Sequence, residues 1–332
     1  MQRNNDYILM TRDEFFKWLM ALPVSRFVKS IQNHHTYEPS YKRFNGSNHF
    51  AMQQSMENYH ISIGMVDIAQ HFSTFPDGLI CTGRSLELIP AGIKGFNTGS
   101  ICIEHVGNFD RGFDIMSEEQ KKTVAFLNAV LCLKFGIPIK TDNIVYHHWF
   151  RLSDGARFDG TLDDPNQVKT CPGTNFFNGN NRPDADQFLI PAVETEFIVM
   201  KYPQWQIDCS RYLQTLGFTQ KLHFPDKIVN MQTFGYMMNN YFSKLNPVDP
   251  IQYLIDKGFM KSQHPPEEAL VLGVFGYIIA NTEKVVITDP IKFLLDRGYI
   301  TSTTHTYKSP VYMWTFGAIM NKLLQQRTFN LP

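Results

Sequence analysis

The sequence has no net charge to work with, because 31 Lys and Arg are offset by 31 Asp and Glu. A neutral chain lacks the broad positive field that holds nucleic acid, so that class of partner is not expected. Cysteine is sparse as well. Cys81, Cys102, Cys132, Cys171 and Cys209 are odd in number and widely spaced, which argues against a disulfide framework. The first three lie in apolar stretches and read as small buried hydrophobes, whereas Cys171 occupies a polar turn before Pro172 and Gly173. No apolar run reaches the length of a membrane span, so no membrane insertion is expected. The opening stretch MQRNNDYILMTRDEFFKWLM mixes acidic with apolar residues. It has neither the basic start, the continuous apolar core nor the small-residue cleavage site of a secretory leader. The expectation is a chain made in the cytoplasm.

What is present suits a soluble globular protein: 332 residues, 43% hydrophobic and 19% charged, too long for one ordinary core. Residues 13–22 read as a short amphipathic helix, and Val28–His34 as a strand ending at His34-His35-Thr36. Asn48–Tyr59 has helical spacing. Gln70–Phe75 and Leu79–Thr82 flank Pro76-Asp77-Gly78 and read as a hairpin. Ser100–Val106 is a β-branched apolar stretch with Glu104 inside it. Ser117–Phe135 opens on Ser-Glu-Glu-Gln, a capping-box signature, and reads as a long helix ending at Gly136. Ile144–His148 is a short strand ending in two histidines. Residues 149–182, rich in Asp, Gly, Asn and Pro, read as a long irregular loop, and Asp184–Met200 as a closing helix. The fold class expected is α/β, a central mixed β-sheet flanked by helices over residues 1–202, followed by an all-α repeat domain over 203–332.

The repeat is carried by three related segments. Asp208, Tyr212-Leu213, Gly217-Phe218 and Phe234-Gly235 recur as Asp249, Tyr253-Leu254, Gly258-Phe259 and Phe275-Gly276, and again as Asp289, Phe293-Leu294, Gly298-Tyr299 and Phe316-Gly317. The offsets are 40 or 41 residues. Each unit reads as helix, glycine exit, loop and helix, with Asp at the N-cap and, in the last two, Pro at the first helical position. One unit cannot bury its apolar face alone, so the three are expected to pack together.

His34, His147 and Cys171 are the candidate metal ligands. Both histidines lie at predicted strand ends, and two imidazoles with one thiolate leave a tetrahedral Zn²⁺ one open position. Taken alone the signal is weak, since a histidine at a strand end is usually structural. Several further segments stand in order along the chain: Asp67-Ile68-Ala69-Gln70-His71-Phe72, Pro76-Asp77-Gly78, Gly83-Arg84, Ala91-Gly92-Ile93-Lys94-Gly95-Phe96-Asn97, Ser100-Ile101-Cys102-Ile103-Glu104, Val106-Gly107-Asn108-Phe109-Asp110 and Lys169-Thr170-Cys171-Pro172-Gly173. With His34-His35-Thr36 they resemble the zinc-dependent N-acetylmuramoyl-L-alanine amidases, which share a fold with peptidoglycan recognition proteins and amidase-type phage lysozymes.

The resemblance implies His34, His147 and Cys171 as zinc ligands, with His35 and His148 as neighbours pointing to the other face. It implies Glu104 as catalytic acid–base, against the plainer readings that it faces solvent or pairs with Lys94. Lys169 matches a lysine that stabilises the developing oxyanion, or else is an exposed loop lysine. Gln70 stands where some members carry a catalytic tyrosine, and it can donate a hydrogen bond but not exchange a proton. Lys94 and Asn97 belong to a loop lining the substrate groove. Arg84 pairs with either a substrate carboxylate or a core acid, and His71 reads as a core histidine. The implied function is hydrolysis of the amide between N-acetylmuramic acid and L-alanine in peptidoglycan. The lack of a leader suggests a phage or prophage endolysin acting after release from the host cytoplasm, and an autolysin released by lysis or a spore-associated enzyme is equally compatible. A non-catalytic muropeptide-recognition protein and a zinc peptidase cutting within the stem are the alternatives. Repeats in this position imply wall binding or self-association. Tyr253, Tyr277, Phe293 and Trp314 are either sugar-stacking or core aromatics.

Overall fold

Seven strands make one mixed sheet: β1 (Gln2–Asn4), β2 (Tyr7–Met10), β3 (Ser30–His35), β4 (Phe72–Thr74), β5 (Ile80–Thr82), β6 (Ser100–His105) and β7 (Ile144–Tyr146), in the order β1-β2-β5-β4-β6-β3-β7. The pairs β4–β6, β6–β3 and β3–β7 are parallel, and β5, β2 and β1 continue the sheet antiparallel. The computed structural model describes residues 1–4, 6–162, 164–242, 249–260, 264–283 and 285–325. It divides into two units, Met1–Met200 and Lys201–Pro332.

Strand β3 is buried along its whole length although Ile31 is its only apolar residue. Polar side chains in such a strand must find partners inside the protein. Alternation sends Ile31, Asn33 and His35 to one face and Gln32 and His34 to the other. On the first face Asn33 donates to Asn128 Oδ1 at 3.1 Å and accepts from Asn128 Nδ2 at 2.9 Å. Asn128 belongs to the long helix of this face.

The helices of this unit are α1 (Arg12–Ala21), α2 (His49–Ser62), α3 (Glu118–Phe135), α4 (Arg182–Asp184) and α5 (Ile190–Lys201), with a π-turn at Ala185–Leu189 between the last two. Helix α3 starts as its signature suggests, with Ser117 accepting from Gln120 N at 3.1 Å, and it ends at Gly136 with φ 67°. The Gln120 side chain does not return to the cap. It donates to Thr74 O and Val106 O, both at 3.1 Å, and fastens the helix to the sheet. The β4–β5 hairpin turns at Pro76-Asp77-Gly78, where Gly78 N donates to Phe75 O. Strand β7 is shorter than expected: it ends at Tyr146, and His147–Trp149 form a 3₁₀ turn. The loop beyond is tied back by Trp149 Nε1 donating to Asn180 O at 2.7 Å and by His148 N donating to Cys171 O at 2.7 Å.

The second unit contains α6 (Gln204–Thr215), α7 (Met231–Phe242), α8 (Pro250–Asp256), α9 (Leu272–Thr282), α10 (Pro290–Asp296) and α11 (Met313–Gln325). Helix α7 packs on α8, α9 on α10 and α11 on α6, so the third repeat returns to the first and the array closes into a ring. The loops close in the same sense through β-bridges Asn230↔Ala269, Val271↔Pro310 and Ile228↔Tyr312. The repeated Phe-Gly pairs explain the closure. Phe234, Phe275 and Phe316 meet one another, with ring centroids 5.2–5.9 Å apart. A side chain at Gly235 would strike the Pro250 backbone, one at Gly276 would strike Pro290, and one at Gly317 would strike the Cys209 backbone. The glycines therefore permit the helix crossings that the phenylalanines drive together.

Asp249 and Asp289 cap α8 and α10 as expected, and Gly217, Gly258 and Gly298 leave their helices at φ 81°, 71° and 68°. Asp208 corrects the pattern: it lies inside α6, whose N-cap is Pro203, because the first helix carries an additional turn.

Candidate active site

Three side chains from distant parts of the first unit converge. His34 comes from β3, His147 from the turn after β7, and Cys171 from the loop that His148 N holds against that turn. His34 Nδ1 lies 3.1 Å from His147 Nδ1 and 3.5 Å from Cys171 Sγ, and the three ligand atoms lie within 4.8 Å of one another. Tetrahedral Zn²⁺ with ordinary bond lengths spaces two nitrogens about 3.3 Å apart and a nitrogen and a sulfur about 3.6 Å apart. The two distances from His34 match those spacings. Burial holds His34 well below the usual histidine range and pushes His147 down to about 3, so both rings stay neutral with a lone pair to offer. Burial pushes the Cys171 thiol well up, an effect that a bound cation reverses.

The other histidine of each pair is occupied elsewhere. His35 Nδ1 accepts from Phe109 N at 3.1 Å, and His148 Nδ1 donates to Lys169 O at 2.8 Å. For His35 strand alternation is the reason. For His148 it is the 3₁₀ turn, which corrects the expectation of a strand there.

Glu104 sits on β6 directly across from His34 in the parallel register. Its Oε1 lies 4.0 Å from His34 Nδ1, and its Oε2 is buried with no hydrogen-bond partner among the described residues. Burial pushes its carboxyl up to about 8, with the Lys169 charge pulling the other way. The side chain is 17% exposed, and it opens on a groove of about 640 Å³ lined by Thr36, Met52, Met56, Tyr59 and His60. Helix α2 forms one wall of this groove.

Residues 24–174 match the N-acetylmuramoyl-L-alanine amidase family. The first unit belongs to that family. Its intact His34-His147-Cys171 set makes it a zinc-dependent amidase of peptidoglycan. Among solved structures, the chain is similar to the endolysin amidase LysCS of Clostridium intestinale, at 24% identity over 35% of this chain and 70% of that one, with a TM-score of 0.29. For the amidase LysC of the same organism the values are 22%, 50%, 90% and 0.33. Drosophila PGRP-LB gives 20%, 48%, 86% and 0.37. A search of curated proteins found no match.

Of the other residues expected in the site, the amidase fold brings some to the groove and holds others in its own scaffold. Lys169 is exposed, and its charge is felt by His34, His147 and Glu104. Gln70 is buried behind the groove wall and donates to Ser73 Oγ at 3.0 Å; Ser73 is the register partner of Glu104. Lys94 donates to Ser153 O and does not reach Glu104 as an ion-pair partner. Arg84 donates to Ile68 O, Ile89 O and Asp67 O at 2.7, 2.8 and 3.2 Å, which commits its guanidinium to the chain itself. Asn97 Oδ1 accepts from Gly92 N and Ile93 N, each at 3.0 Å. The loop bearing Lys94 and Asn97 is thus fastened inward. His71 is a core residue, accepting from Cys102 N at 3.0 Å and donating to Leu88 O at 3.0 Å. Sequence reasoning missed Gln32, which touches His34. Its signal was a carboxamide in the middle of a strand destined for burial.

Proposed function

We propose that the chain is a lytic enzyme of phage or prophage origin, made in the host cytoplasm and acting on the wall after release. Its first unit separates L-alanine from N-acetylmuramic acid, with Glu104 as the acid–base. The buried Oε2 of Glu104, which has no hydrogen-bond partner among the described residues and lies beside the ligand set, carries this reading. An acid in such a position is costly to keep unless it moves protons. Zn²⁺ bound by His34, His147 and Cys171 supplies Lewis acidity towards the scissile carbonyl and acidifies water. Glu104 takes the proton from the attacking water and delivers it to the leaving alanine nitrogen. A carboxyl raised towards neutrality can do both. Lys169, exposed at the mouth, places positive charge where the carbonyl oxygen becomes anionic.

The second unit holds the enzyme on the wall. It has a core of its own, and Trp205 stands 52% exposed with its ring edge-on to Trp314 at 5.1 Å. Tyr277 is also partly exposed, whereas Phe293 is buried and belongs to the core. Closure of the ring favours the wall over self-association as partner, since an open array end is what would add another copy. The test incubates the full chain with purified sacculi. Free N-terminal alanine should appear, vanish with chelator and return with zinc. A different new N-terminus would place the cut within the stem. The Glu104→Gln chain should co-sediment with sacculi without dissolving them.

A further inference from the structure

We propose that Gln32 is a positioning residue for the metal ligand His34, which it fixes in one tautomer and one orientation. The inference rests on the zinc centre and adds a residue to it. Gln32 and His34 are two apart on β3 and share a face. Gln32 is fully buried, and both ends of its amide are engaged. The direction of each bond follows from groups that have no choice. Asn97 Oδ1 takes N–H bonds from Gly92 and Ile93, so it is an acceptor. Phe96 O is a carbonyl and can only accept. Gln32 therefore turns its Nε2 to these two, at 3.2 and 3.0 Å. Its Oε1 then accepts from Ile93 N at 3.0 Å and faces His34 Nε2 at 3.3 Å. His34 Nε2 must carry the proton, which leaves the Nδ1 lone pair aimed at His147 Nδ1 and Cys171 Sγ.

Gly92 completes the clamp. A Cβ at that position would collide with Gln32 Oε1 and lie 3.0 Å from His34 Nε2 and from Cys102 Sγ. Only glycine lets the 92–97 loop press on the carboxamide. Asn97, expected from the sequence to meet substrate, is thereby a part of the ligand's support.

Two measurements on the full chain test this. In the zinc-free wild type, long-range ¹⁵N–¹H correlation should show His34 protonated at Nε2; a proton on Nδ1 overturns the proposal. Zinc affinity, measured by competition with a chromophoric chelator, should fall about 10–100-fold in Gln32→Leu, the range for loss of an outer-shell partner. Affinity within about twofold of wild type overturns the proposal on that same scale. Should Gln32→Leu fail to fold, Asn97 decides. Asn97→Asp keeps the acceptor and should hold zinc within about threefold, whereas Asn97→Leu should lose about tenfold. Equal affinity in the two overturns it. Zinc binding by the wild type that is unaffected by Cys171→Ala is a distinct result, defeating the zinc centre rather than the role of Gln32 alone.

Discussion

Replacing Glu104 with Gln isolates the proton-transfer step. The amide has the size of the carboxyl, so the groove keeps its shape. Glu104 Oε1 stands 4.0 Å from His34 Nδ1, and Oε2 has no hydrogen-bond partner among the described residues, so the substitution breaks no short contact there. Zinc should stay bound. A positioned acid–base is worth about 10²–10⁴ in rate, or about 3–5 kcal/mol of barrier. Amide release from purified sacculi should therefore fall by that factor at unchanged zinc stoichiometry. The pH profile provides a second reading. The base form of Glu104 fills as pH rises, along a limb that burial moves upward and the charges of Lys169 and bound zinc pull back down. Wild-type kcat/KM should rise along that limb, and the Gln variant should lack it. A variant that keeps zinc, retains a third or more of wild-type activity and shows the same acidic limb would refute the assignment.

The remaining predictions concern metal, pH and the ring. Cys171→Ala should lose both zinc and activity, read by metal analysis beside the sacculus assay, because two imidazoles alone fall short of the three protein ligands that hold a catalytic zinc. In the zinc-free protein burial lifts the Glu104 carboxyl to about 8 from the 4.5 of an ordinary glutamate. A raised pKa means its contribution to stability is full below the unfolded value and is lost as pH climbs through the folded one. Urea unfolding should therefore show Glu104→Gln gaining on the wild type from pH 5 to 8, by up to about 1.4 kcal/mol per pH unit; a gap that does not change with pH would contradict the burial. In the second unit, Phe316→Ala should cost about 3–5 kcal/mol by emptying the three-ring cluster. Gly317→Ala should cost about 1–3 kcal/mol by forcing the new methyl against the Cys209 backbone, and neutral substitutions in urea titrations would argue against ring closure.

Much of this could be read from the residues because local signals and global fold agree. The 40–41-residue repeat, the Ser117 cap and the Pro76-Asp77-Gly78 turn are short-range chemistry, and all three are present in the structure. Ring closure was not legible, since periodicity says that units pack but not that the last meets the first. Strands β1 and β2 were missed because three and four residues are too few to show alternation. The ligand types at His34, His147 and Cys171 were visible, but the direction of each side chain was not. His147 and His148 part company through a 3₁₀ turn rather than strand alternation. Arg84, Lys94 and Asn97 illustrate the wider limit: a polar residue in a groove-forming segment looks the same in sequence whether it faces substrate or ties the loop down. Burial and the hydrogen-bond partners separate the two cases.

Zinc K-edge X-ray absorption on the purified chain tests the central claim most directly. The account predicts one zinc with two nitrogen neighbours at about 2.0–2.1 Å, one sulfur at about 2.3 Å and a light atom in the fourth position. A first shell without sulfur, or one unchanged in His34→Ala, would contradict it.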